Sequence, residues 1–266
     1  MQAIFVNGCE LRLKILQKAK VMENAIMVAL SRQMTLRREL SITANNLANM
    51  TTAGFKVENL LLSQKTGATA RHQDGPSRIN FVQDWGVARD FSDGQIETTG
   101  RPLDVALVGP GFFAIETPDG ERYTRDGRFS MDETGTLTTS DGMLVLDDSG
   151  APILLDAFGS APEIDSKGII SVNGQEVGRL RIVNFPELKE LTKQGDGRFL
   201  APEDAEIIDV ETPKVMQAFL ERSNVVPILE INRMIQVTRT YQSVSNMMKL
   251  EEDTSKGAIE RLGRVR

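Results

Sequence analysis

The feature that most constrains this chain is a train of turn glycines in its middle. Gly120, Gly127, Gly135, Gly142 and Gly150 succeed one another at intervals of 7, 8, 7 and 8 residues, in the contexts Asp119-Gly120, Asp126-Gly127, Thr134-Gly135, Asp141-Gly142 and Ser149-Gly150. Glycine takes positive φ without steric cost, and Asp-Gly between short apolar or β-branched runs is a strong hairpin signal. Leu103-Val105-Leu107 and Phe113-Ile115 alternate as strand faces. Further short runs stand at Arg122–Thr124, Phe129–Met131, Leu137–Thr138, Met143–Leu146 and Ile153–Leu155. A second β segment covers Ile169–Val172, the Asn173-Gly174 turn and Leu180–Phe185. Residues 92–191 are thus expected to form an antiparallel meander or small barrel.

Both flanks have a helical period instead. Met22, Ile26, Ala29, Gln33, Leu36, Leu40, Thr43 and Leu47 recur with alternating spacings of four and three. A helix from Asn24 to Asn49 would be roughly 39 Å long, with Arg32, Arg37, Arg38 and Glu39 on its other face. After Pro227, suited to a first helical turn, Ile231, Met234, Thr238, Tyr241, Ser245 and Met248 repeat the spacing to about Leu250, roughly 36 Å of helix. A wide apolar stripe would mean an amphipathic helix on its own core, and a narrow seam means a coiled coil seeking a partner. Two matching seams, both diluted by polar residues, favour the second. The expected fold is α+β, with long N- and C-terminal helices forming a coiled-coil-like α domain and a central, mainly antiparallel β domain. Residues 22–62 and 214–252 would build the α domain, with 63–91 and 192–213 as extended connectors. Residues 1–21 read as a basic leader and 253–266 as a tail.

Composition narrows the chemistry. The 266 residues hold one Cys, Cys9, and one His, His72. No intrachain disulfide and no His/Cys zinc site can be built from them. A net charge of −6 argues against a general nucleic-acid binder. No apolar run approaches the roughly 18 residues of a membrane span. The leader inverts a signal peptide, with apolar Ala3 to Val6 ahead of Arg12, Lys14, Lys18 and Lys20.

Candidate catalytic motifs are weak. Gly109-Pro110-Gly111-Phe112-Phe113-Ala114 fits the dinucleotide fingerprint formally, but the chain beyond it alternates like a strand, where a helix N-terminus is required. A turn between strands is expected and no cofactor. Glu116, Asp119, Glu121 and Asp126 could supply an acid/base pair for glycoside hydrolysis, although three of them are turn residues or turn flanks. Asp147-Asp148-Ser149-Gly150 offers too few spaced oxygens for a calcium loop. No catalytic, cofactor or metal residue is assigned.

The informative motifs lie elsewhere. In Asn45-Asn46-Leu47-Ala48-Asn49-Met50-Thr51-Thr52-Ala53-Gly54-Phe55-Lys56, Asn and Thr crowd a helix end, Gly54 suits a left-handed turn and Phe55 supplies an anchor. This run resembles the N-terminal signature of the bacterial flagellar rod and hook protein family. Ser92-Asp93-Gly94 through Gly100-Arg101-Pro102-Leu103-Asp104-Val105 to Gly111-Phe112-Phe113, continuing to Tyr123-Thr124-Arg125-Asp126-Gly127, is similar to its central motif. Gln217-Ala218-Phe219-Leu220-Glu221-Arg222-Ser223-Asn224-Val225, with Met234-Ile235 and Arg239-Thr240-Tyr241, is similar to its C-terminal signature.

The resemblance implies a short rod protein of the proximal rod, with the distal rod protein as the alternative. It further implies helical assembly with other rod proteins and copies of itself, torque transmission around an export channel, and export by the flagellar type III apparatus without a cleaved signal. On that reading Ile26, Ala29, Leu36, Leu40 and Leu47 face Ile231, Met234, Tyr241 and Met248 in the assembled rod, and Gln33, Thr238 and Ser245 complete the seams. The family's sequences begin where Met22 stands, so Met22 is the expected natural start. From another class, a secreted carbohydrate-binding or hydrolytic β protein with helical arms remains the rival.

Overall fold

The computed structural model describes residues 3–66, 80–155, 161–195 and 197–263. His72, the stretch 67–79 of the expected first connector, residues 156–160 of the expected β domain, Asp196 and the last three residues of the tail lie outside the described residues. The chain divides into two compact units. One holds residues up to 45, 59–88 and from 228 onward, and the other holds 46–58 and 89–227.

In the first unit, helix α1 spans Ala3–Ala48 and helix α2 spans Pro227–Gly263, 46 and 37 residues long. Both outrun the expected spans, since residues 3–21 and most of the tail are helical too. Proline is missing from both extensions, and Leu, Lys, Ala, Arg, Glu and Gln make up most of the first. Between the helices in sequence, β1 (Glu58–Thr66) and β2 (Asn80–Arg89) pair as a two-stranded sheet. Residues 63–91, read as a connector, therefore contain a ten-residue strand.

The expected coiled-coil-like pairing of the two helices is not what the structure shows, and that part of the fold class is corrected. Seam positions Ile26 and Ile231 stay 37% and 41% exposed. Arg233 meets Glu39 at 3.6 Å as an ion pair, a surface interaction worth little on its own. The physical reason lies in the seams. Knobs-into-holes packing needs a continuous apolar row, and Gln33, Thr43, Thr238 and Ser245 interrupt both rows.

The second unit is the antiparallel β domain. Its first strands are β3 (Ile96–Thr98), β4 (Val105–Val108), β5 (Phe112–Thr117), β6 (Gly120–Thr124), β7 (Phe129–Met131), β8 (Leu137–Thr139) and β9 (Leu144–Val145). They continue as β10 (Glu163–Ile164), β11 (Ile169–Val172), β12 (Gln175–Arg179), β13 (Ile182–Asn184), β14 (Thr192–Gln194), β15 (Arg198–Leu200), β16 (Ile208–Asp209), β17 (Lys214–Gln217) and β18 (Phe219–Glu221). The main sheet runs β14-β15-β6-β5-β9-β8-β7, with β13 beside β5 and β16 beside β13. Residues 192–213, read as a return path, thus supply β14, β15 and β16. The run Ile153–Leu155 makes a bridge from Leu154 to Thr136 in place of a strand.

β5 is the centre of this domain because both of its faces are buried. Phe112 and Ala114 join Tyr123, Val183, Phe185, Leu191 and Phe199 in one core. Phe113 and Ile115 join Val105, Leu107, Phe129, Leu137, Ile170 and Ile182 in the other. Phe113 meets Phe129 edge-on at 5.2 Å, and Phe112 meets Phe199 at 5.5 Å. Burial of each such ring contributes about 1.5–3 kcal/mol.

Three hairpin turns repeat one local device. Asp132, Asp147 and Asp165 each accept from the backbone N–H two and four residues ahead, at 2.8–3.0 Å. A glycine three residues on, Gly135, Gly150 or Gly168, takes positive φ. A hydrogen bond from the Thr134 side chain, with the backbone N–H of Thr136 next in weight, holds the Asp132 carboxyl below its ordinary pKa. A folded pKa below the unfolded one means stability that is present above the unfolded pKa and lost as pH falls through the folded one. Asp132→Ala should therefore lower the melting temperature at pH 7, and the gap to the parent should close below about pH 4 in thermal melts monitored by circular dichroism.

Candidate functional site

α1 ends at Ala48 in a run of Asn and Thr that offers side-chain alternatives to the helical ladder. Backbone bonds from Asn49 to Asn46, Met50 to Leu47 and Thr52 to Asn49 turn the chain, and Thr52 Oγ1 donates to Asn49 Oδ1 at 3.1 Å. Gly54 then takes φ +66°, and its N–H donates to the Glu221 carbonyl at 2.9 Å. A Cβ at this position would stand 2.5 Å from the Arg125 carbonyl carbon. Glycine is required here both for its conformation and for the space it leaves.

That close approach places three charged side chains in one buried cluster. Lys56, Glu221 and Arg125 have side chains only 1%, 2% and 2% exposed. Lys56 Nζ donates to Glu221 Oε1 at 2.6 Å and to the Ser92 carbonyl at 2.7 Å. Arg125 Nη1 donates to Glu221 Oε2 at 3.2 Å, and its Nη2 donates to the Gly109 carbonyl at 2.6 Å. The Gly94 N–H also donates to Glu221 Oε1, at 2.9 Å. The guanidinium lies 5.4 Å from the Phe112 ring centre, and Asp93 approaches it at 3.9 Å from the solvent side. Burial lowers the pKa of both cations, and the Glu221 charge opposes that in each case.

Two asparagines extend the cluster by standing in for backbone. Asn46, fully buried, donates through Nδ2 to the Glu58 carbonyl at 2.8 Å and accepts the Glu58 N–H at 3.0 Å. Asn224 accepts the Val57 N–H at 2.8 Å and donates to the Asp90 carbonyl at 2.8 Å. The Glu58 carboxylate receives Arg89 at 3.0 Å and Lys193 at 3.2 Å. Lys193 in turn sits 4.4 Å above the Phe55 ring.

The remaining motif residues serve the same junction or the cores beside it. Asp104 is buried, its N–H donates to the Arg101 carbonyl and its carbonyl accepts the Ala218 N–H. Gly100, at φ +72°, lets the Thr99 and Gly100 N–H groups share the Ala218 carbonyl. Gly111 presses toward Ile182 and Leu107, Leu103 packs on the larger core, and Phe112 and Phe113 enter opposite cores. Ser223 accepts the Val225 N–H through its hydroxyl. Leu47 is half-buried, while Asn45 and Ala48 are exposed.

The seam residues are not brought together in the same way. Ala29 and Leu36 are buried, whereas Gln33, Leu40, Met234, Thr238, Tyr241, Ser245 and Met248 are half-buried. Of the carboxylates weighed for acid/base chemistry, Glu116 and Glu121 stand opposite each other in β5 and β6, while Asp119 and Asp126 lie in turns or loops beside them. Glu121 is paired with Arg181 at 3.2 Å, and Asp126 with Arg128 at 2.6 Å. Among the described residues no His, Cys, Asp and Glu group is placed to hold a metal, and no helix is long and apolar enough to cross a membrane. Sequence reading missed Lys56, Arg125, Glu221, Glu58 and Arg89 as site residues. Their best signal was position, since the first three sit inside the three motif runs.

Those three runs, distant in sequence, therefore build a single junction in which the segments that follow α1 and precede α2 are fixed to the β domain. Residues 26–56 match the family described as flagella basal body rod protein, 106–172 the flagellar hook protein FlgE/F/G D1 domain, and 216–260 the flagellar basal body rod FlgEFG protein C-terminal region. The chain belongs to the flagellar basal-body rod protein family. It is 43% identical over 244 residues to the flagellar basal-body rod protein FlgF of Caulobacter vibrioides, covering 92% of this chain and 100% of that one. FlgF of Mesorhizobium japonicum is 35% identical over 91% of this chain and 99% of its own. The rod protein FlgG of Bacillus subtilis is 31% identical over 81% and 90% respectively. The protein is a structural subunit of the basal-body rod, and its place is the flagellar basal body.

Gly54→Ala should destabilise the protein by on the order of 3 kcal/mol or more, because φ strain and a backbone clash combine. Gly100→Ala, with nothing within 4 Å of the added Cβ, should cost only about 1–2 kcal/mol. Urea unfolding of the two variants beside the parent measures the difference.

Proposed function

We propose that this chain is a subunit of the proximal rod, assembling helically with copies of itself and other rod proteins to transmit torque and enclose the export channel. The observation that carries the reading is the apolar surface left on the helical unit. Ile26, Met27, Leu30 and Met34 on α1 are exposed, as are Ile228, Leu229, Ile231 and Ile235 on α2. On each helix these residues recur at spacings of three and four and so share a face, and an exposed apolar face of that kind suits an interaction site. A heterologous interface that does not close on itself generates an open helix.

On this reading the seam residues Ile26, Gln33, Leu40, Leu47, Ile231, Met234, Thr238, Tyr241, Ser245 and Met248 contribute to contacts with neighbouring subunits, while Ala29 and Leu36 stay internal. The subunit works in the periplasm, reaches it through the flagellar type III export apparatus without a cleaved signal peptide, and needs no nucleic acid, small-molecule substrate or catalysis. Its higher identity to the relatives named FlgF than to those named FlgG supports a FlgF-like subunit, which the resemblance in the sequence ties to the proximal rod.

The double substitution Ile231→Asp with Ile235→Asp should abolish motility and stop rod assembly while the purified protein keeps its β-sheet circular dichroism and cooperative unfolding. Swimming normally with that variant would contradict the interface. Averaged images of basal bodies from a strain lacking the protein should show the rod arrested near the inner-membrane ring, and arrest farther out would favour the distal alternative.

A further inference from the structure

We propose that Glu221 and Asn224 make the seating of the N-proximal segment 52–58 and the C-proximal segment 214–227 on the β domain a single coupled event, so that the first cannot stay seated without the second. Both side chains belong to the C-proximal segment, and each holds the other two partners at once. Glu221 receives Lys56 from the N-proximal segment and both Arg125 and Gly94 from the β domain. Asn224 receives Val57 N–H and donates to the Asp90 and Ser92 carbonyls. Backbone bonds from Gly54 N–H to the Glu221 carbonyl and from Asn224 N–H to the Phe55 carbonyl tie the two segments directly.

Removing the C-proximal segment would leave Lys56 and Arg125 together in a buried site with their shared carboxylate gone. An uncompensated buried charge is strongly unfavourable, and here two like charges would also repel. The cheapest response is for residues 52–58 to leave. The coupling must be reciprocal in free energy, but the two segments are not held equally. The C-proximal segment also pairs β17 with β4 and β18 with β3, whereas the N-proximal segment reaches a strand only at Glu58, the first residue of β1, and is otherwise held by Asn46 and Arg89 at Glu58 and by the Asp90 N–H at the Val57 carbonyl. The N-proximal segment therefore seats only in a chain whose C-proximal part is in place, and the two open together.

Amide hydrogen exchange on the full-length protein, read by mass spectrometry, tests this. Glu221→Gln should speed exchange in both 52–58 and 214–227 by about a hundredfold, while 112–117 and 129–139 stay protected. Lys56→Met should also speed exchange in both segments. The double variant should show far less than the product of the two single effects. An effect of Glu221→Gln confined to 214–227, or single effects that simply multiply, would overturn the coupling. Where Glu221→Gln unfolds the β domain as well, Asn224→Ala decides without removing a charge. Faster exchange in 52–58 together with 214–227 supports the coupling, and a change in 214–227 alone refutes it.

Discussion

A carboxylate buried between two cations is an expensive thing to place inside a protein, and the rest of this structure is arranged so that Glu221 can stand there. Its two oxygens take Lys56 and Arg125, and a backbone N–H from Gly94 adds a third donor. Such a site is weak evidence for raw stability, because desolvation offsets much of the attraction. What it does make costly is removal of any one partner, because a buried charge is then left uncompensated. The glycines around it answer the same demand. A Cβ at Gly94 would meet the Arg222 carbonyl at 1.9 Å, and one at Gly54 would meet Arg125. Backbones that must approach so closely to bring these charges into contact cannot carry side chains.

Much of the β domain was legible because its signals are local. Asp-Gly turns and alternating apolar runs depend on a few adjacent residues, and β7 and β11 fall where the runs Phe129–Met131 and Ile169–Val172 placed them. Two strands with distant partners, β17 and β18, were not read from the sequence. β17 and β18 pair with β4 and β3 across more than a hundred residues, and nothing in Lys214–Glu221 states that pairing. The buried cluster was hidden for a different reason. Lys56, Arg125 and Glu221 look in sequence like any solvated charges, and only proximity shows that they are mutually neutralised. Motif resemblance located the runs that hold them without showing why those runs matter together.

The helices show the opposite failure, where a periodic pattern was read for more than it specifies. Alternating spacings of three and four establish that a helix has an apolar row; they do not say that two rows in one chain will meet. Ala29, Leu36 and Val237 are buried, yet large apolar residues such as Leu30, Met34, Ile235 and Leu250 face outward along the same helices. A row with Gln33 and Thr43 on one side and Thr238 and Ser245 on the other gives too little continuous apolar surface to close a pair. The outward residues and the diluted rows go together, since a row with polar gaps leaves large apolar side chains of the same helix exposed.

Phe112 and Phe113 stand next to each other in β5 and enter opposite cores. A slip of one residue along this strand would exchange them, driving each ring into a cavity shaped for the other and turning Ala114 and Ile115 about as well. Shear along β5 is thus opposed by two interlocked sets of aromatic contacts rather than by ladder hydrogen bonds alone. In a structural subunit of a rod, that makes the strand a key seated in grooves on both sides, which cannot creep by small steps.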